Sequence, residues 1–179
     1  MTPSCIRKAL AACALLSLTG PAVAHTTLET VDAPISSPYK AVLRVGHGCD
    51  GAPTLRLRVR IPDGVVAVAP VSKPGWTVET VNGSYGRTYD YRGTAVTEGV
   101  KEIIWAGTLP DGRHDEFVFQ AYLSGDLQPD AVLYFPTVQE CGDAKANRWI
   151  EIPADGRRAD DYKHPAPGVK LLPAGSGEN

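Results

Sequence analysis

Apolar and polar side chains alternate with a period of two through most of this chain. Over residues 54–61 the alternation places Leu55, Leu57, Val59 and Ile61 on one face and Arg56, Arg58 and Arg60 on the other. That is the pattern of a half-buried antiparallel strand. Residues 41–45 repeat it, and further strands are expected at 65–68, 76–81, 88–91, 102–106, 116–123, 132–138 and 148–152. Turn signals separate them, among them Pro62-Asp63-Gly64, Lys73-Pro74-Gly75, Asp111-Gly112 and Ser124-Gly125. Asn82-Gly83 is the strongest hairpin signal. No stretch sustains a 3.6-residue period, so the expectation is all-β: about eight or nine mostly antiparallel strands in a sandwich or barrel. After Pro153 the alternation dissolves into a Pro/Gly-rich tail, 154–179, expected to be extended or partly disordered and to lie along the domain through Leu171 and Leu172.

The first 24 residues follow a different rule. Arg7 and Lys8 precede an apolar run and then Ala22-Val23-Ala24, the layout of a signal peptide cut after Ala24. The roughly 155 residues left suit one domain, with the sandwich over 25–153. Apolar residues at 43% and charged residues at 21% are ordinary for a globular chain. A formal charge of −2 argues against a nucleic-acid partner and makes the three arginines a solvated face, not a phosphate-binding stripe. No second apolar run approaches the roughly 20 residues of a membrane span. An exported protein, periplasmic or secreted, is expected. Cys5 and Cys13 would leave with the signal, so Cys49 and Cys141 remain as a pair for one disulfide closing a loop of about ninety residues. A metal thiolate at Cys49 is the alternative.

Candidate chemistry is sparse. The chain has no G-x-S-x-G, H-E-x-x-H, P-loop or C-x-x-C, and the adjacent Asp115 and Glu116 point to opposite faces of a strand. Cleavage after Ala24 would give His25 a free α-amine beside its own imidazole, a pair able to chelate one metal ion. His47 begins a Gly-flanked turn, 46–51, pinned by the expected disulfide, and so has the restricted freedom of a ligand. His114 reads as an exposed loop residue and His164, in the Pro-rich tail, as incidental.

Several short motifs in order point further. They are His25-Thr26-Thr27-Leu28-Glu29, the 39–45 strand, Pro74-Gly75-Trp76, the 101–105 strand, Asp115-Glu116-Phe117, Tyr134-Phe135-Pro136 and Arg148-Trp149-Ile150-Glu151. From His25 to about Ile152 the chain resembles the bacterial YcnI-like copper-binding domains. The resemblance implies a single immunoglobulin-like β-sandwich, export, and copper handling near copper-transport or chaperone proteins. It also implies a histidine-brace-like site: amine and imidazole from the mature N-terminal residue, here His25, a glutamate after the 41–45 strand, and a tryptophan beside the metal, here Trp149. The glutamate is absent, and His47 stands nearest in its place, with Asp50 as the other candidate. Glu29 is a candidate to support His25 from behind the ligand shell. Nitrogen donors in one plane favour Cu(II), whereas zinc prefers a tetrahedral set. Trp76 and Trp105 read as core anchors. The leading expectation is therefore a copper chaperone or scavenger, not an enzyme. The alternatives are a copper-dependent oxidative enzyme built on the brace, and a structural or protein-binding sandwich with no metal role.

Overall fold

The computed structural model describes residues 25–154 and 156–175; the expected signal segment, 1–24, lies outside them. Twelve strands are described in chain order: β1 (Thr27–Leu28), β2 (Asp32–Pro34), β3 (Ser37–Val45), β4 (Thr54–Arg60), β5 (Val65–Pro70), β6 (Thr77–Tyr91), β7 (Thr94–Leu109), β8 (Asp115–Leu123), β9 (Val132–Tyr134), β10 (Thr137–Cys141), β11 (Ala146–Trp149) and β12 (Gly168–Leu172). They form a four-stranded sheet β1-β3-β8-β5, a five-stranded sheet β11-β10-β4-β7-β6 and a small sheet β2-β12-β9. Every pairing is antiparallel except β2 with β12.

Alternation explains the layers. Leu43, Val45, Phe117, Phe119 and Leu123 from the first sheet meet Leu57, Val59, Ile103 and Trp105 from the second in one core. Trp105 is fully buried and Trp76 packs edge-on against Phe117 at 4.8 Å, so both anchor the core as expected. Removing that much apolar surface from water is the main stabilising term of such a fold. On the outer face of β4, Arg56 and Arg58 pair with Glu140, and Arg58 also with Glu102. The carboxylate of Glu102, and after it Glu140, holds the Arg58 guanidinium even more firmly charged than usual. Two arginines of the stripe are thus ion-paired on the sheet face, and Arg60 is exposed beside them.

Three local expectations are corrected. Asn82-Gly83 is not a turn: it sits inside β6, paired with Val100 and Gly99 beside a register shift. The hairpin turns at Arg92-Gly93, where both residues take positive φ, 52° and 84°, and the Asp90 carboxylate accepts the Gly93 N–H at 3.1 Å. Two successive left-handed residues match the twist of the flanking strands. Leu55 does not join the inward face, because a bulge between Thr54 and Arg56 turns it out to 42% exposure and buries Thr54 instead. The single strand expected over 132–138 is two, broken at Phe135-Pro136, where Pro136 has no N–H to donate.

The tail lies along the domain through Leu171, and it does so as a strand. β12 pairs with β2 and β9, and Val169 and Leu171 are buried in the main core.

Candidate metal centre

β10 and β11 build the floor of the site. Along β10 the residues facing inward are Thr137, Gln139 and Cys141, two of them polar. Gln139 is 1% exposed, and its amide is fully used. Its Nε2 donates to the His47 carbonyl at 2.6 Å and to Thr54 Oγ1 at 2.7 Å. Its Oε1 accepts Asn147 Nδ2 at 3.3 Å and, at a long 3.5 Å, the indole Nε1 of Trp149. Buried polar groups are tolerated when satisfied in this way. One amide thus ties the 46–51 turn to Trp149.

The Cys49–Cys141 disulfide closes over the same edge, with Cα atoms 6.0 Å apart and a sequence separation of 92. The thiolate alternative for Cys49 is thereby removed. Gly48 fits only as glycine, since a Cβ there would collide with the Ala52 carbonyl. Its N–H donates to Asp111 Oδ1 at 2.9 Å.

Trp149 ends β11 at 2% exposure. The His25 ring stands edge-on to it, 5.2 Å between centroids and 80° between planes. His25 is brought there by β1, which pairs Thr27 with Arg44 and Leu28 with Leu43 on the edge of the first sheet. The residue itself is half-buried beside a pocket of about 200 Å³ that Thr26, Val31, Asp160, Pro165 and Ala166 help to line. Histidine and tryptophan singled out from the sequence are therefore in contact.

A third ring joins them. His164 packs edge-on to Trp149, again 5.2 Å between centroids, at 66°. Its N–H donates to Glu151 Oε2 at 2.5 Å, its carbonyl accepts the Glu151 N–H at 3.1 Å, and Ala166 N–H returns to the Glu151 carbonyl at 2.8 Å. The tail is thus clipped beside β11, and residues 165–167 are buried. His164 Nδ1 is a buried atom with no hydrogen-bond partner. Neither His164 nor Gln139 stood out in the sequence. The signals were there: a glutamine on the inward face of a strand, and renewed alternation over 168–172 just after the histidine.

The other candidates lie differently. His47 is half-buried and reaches the cluster through its carbonyl on Gln139, while its ring Nδ1 faces the Gly48 carbonyl. Asp50 is exposed at positive φ, 48°, and its carbonyl accepts Lys145 Nζ at 2.9 Å. Glu29 is salt-bridged to Arg44 at 2.8 Å on the outer surface, and Arg44 in turn to Glu116. His114 is exposed and borders an open cleft of about 590 Å³, where Lys73 is paired with Asp115. Among the described residues no three His, Cys, Asp or Glu side chains cluster as a ready-made metal site. A brace needs no such trio, because one residue supplies two donors and one of these is a main-chain amine.

A family model described as a domain of unknown function, DUF1775, matches residues 25–171. The chain is also similar in structure to an uncharacterized protein from Nocardia farcinica whose crystal structure reveals an immunoglobulin-like fold. The TM-score is 0.62 and the identity 21%, covering 83% of this chain and 98% of that one. The expected immunoglobulin-like sandwich is therefore the fold of this chain. No curated protein matches it.

Proposed function

The chain belongs to the DUF1775 family, and from that premise we propose that it is an exported copper-binding protein, a periplasmic chaperone or scavenger. It takes Cu(II) through the amine and imidazole of His25 once the signal peptide is removed. The observation that carries the reading is the His25 ring standing edge-on to the buried Trp149 at 5.2 Å. The family resemblance places these two residues beside one metal, and they come together from opposite ends of the domain's sequence.

The chemistry is consistent with that role. An amine and an imidazole on one residue close a chelate ring, and copper tops the affinity order for such nitrogen donors. The indole excludes water from one side and offers a π face to a cation. The disulfide and the absence, among the described residues, of a helix long and apolar enough to cross a membrane accord with export.

Titration of mature protein with Cu(II), followed by tryptophan emission, tests this. One equivalent should quench Trp149, and His25→Ala should weaken binding by about tenfold or more, which is about 1.4 kcal/mol. Trp149→Phe should keep the binding and lose most of the quench. Unchanged affinity in His25→Ala would contradict the reading.

A further inference from the structure

We propose that His164 is the second imidazole of the copper site, with its Nδ1 bound to the same ion as the amine and ring of His25. This rests on the copper-binding reading above and adds the in-plane donor which that reading lacks.

The unpartnered Nδ1 comes first. It is sealed from solvent and bonds to nothing in the protein. Folded chains almost always pair such atoms, and an orphan costs stability that an apolar ring of the same shape would not. Whether it carries the proton or a lone pair, Nδ1 lacks a partner. As a lone pair it is the donor that copper takes from imidazole.

The second observation is placement. His25 and His164 both stand edge-on to Trp149 at 5.2 Å, so their centroids are separated by at most twice that distance. A metal with bonds of about 2.0 Å holds two imidazole centroids roughly 6 Å apart. The remaining closure falls to His25. Signal cleavage would leave it tethered on its C-terminal side alone, and the buried Thr26 anchors it there.

The third observation is rigidity on the other side. His164 is clipped to Glu151 through both its N–H and its carbonyl, and the buried Pro165 follows it. A fixed imidazole against the same tryptophan as a chelating terminus that cleavage would free is a preorganised half-site. Amine and two imidazoles give three nitrogens, the set that suits tetragonal Cu(II). The expected replacements for the missing glutamate are placed less well: His47 Nδ1 faces a carbonyl, and Asp50 is exposed.

The test uses mature protein with His164→Phe, which keeps an aromatic edge on Trp149 and removes both ring nitrogens. Metal-free His164→Phe should melt at or above the wild-type temperature, because the orphan atom is gone. With Cu(II) it should bind about tenfold or more weakly, and spin-echo modulation should fall from two coordinated imidazoles to one. His164→Gln should show the same loss of one imidazole and serves if the phenylalanine variant does not fold. A wild-type imidazole count and affinity in either folded variant, with copper lost in His25→Ala, would overturn the role of His164 and leave the copper reading standing. Wild-type copper binding in His25→Ala would overturn both.

Discussion

At Tyr39 the phenol lies in the core and its hydroxyl donates to the Thr30 carbonyl at 3.0 Å. Burial pushes its pKa well above the usual tyrosine range. Below about pH 10 the phenol is protonated in both folded and unfolded chains, and its contribution is intact. As the pH rises from about 10 toward the folded value, the unfolded chain ionises first and stability falls. Tyr39→Phe should therefore flatten the decline of melting temperature between about pH 9 and 11, at a cost near neutrality of about 1 kcal/mol for the lost hydrogen bond. An equally steep decline in the variant would contradict this. His25 and Trp149 were legible at this scale because a cleavage pattern and a short motif marked them. His164 and Gln139 were not, since their meaning comes from partners distant in sequence: Trp149 for His164, brought close by the clip at Glu151, and His47, Thr54 and Trp149 for Gln139, gathered by the pairing of β10 with β4 and β11.

Among elements, the long hairpin of β6 and β7 carries the clearest lesson. Asn-Gly is the stronger local turn former, yet the chain turns at Arg92-Gly93. Asn82, Gly83, Ser84, Tyr89, Asp90 and Tyr91 of β6 pair with β7 when the turn moves there, and that cross-strand pairing outweighs the local preference at Asn82. Gly93→Ala places a Cβ at φ 84° and should cost about 1–2 kcal/mol. Asn82→Ala should stay within about 0.5 kcal/mol. Chemical denaturation of both variants checks the order, and a larger loss at Asn82 would contradict the turn assignment. Leu55 shows the same limit of pattern reading: alternation predicts a face, but one bulge inverts it. β12 was legible as an apolar contact and not as a strand, because its partners β2 and β9 are too short to announce a sheet.

For the whole molecule, the all-β class, the antiparallel order and the Cys49–Cys141 pairing followed from the sequence. The third sheet did not, since it joins residues 32–34, 132–134 and 168–172 across most of the chain. That closure matters for the proposed site. It brings the tail with His164 to the same edge where β1 delivers His25 and β11 delivers Trp149. The disulfide, worth roughly 4–5 kcal/mol on loop entropy, fixes the neighbouring turn. What the fold supplies is a prepared edge; what processing would supply is the amine. The most direct measurement is paramagnetic resonance of Cu(II)-loaded mature protein beginning at His25, beside the same protein with one alanine added before it. The mature protein should give a nitrogen-rich tetragonal spectrum that is lost or replaced in the extended form, with weaker binding. Identical spectra and affinities in the two proteins would contradict this expectation.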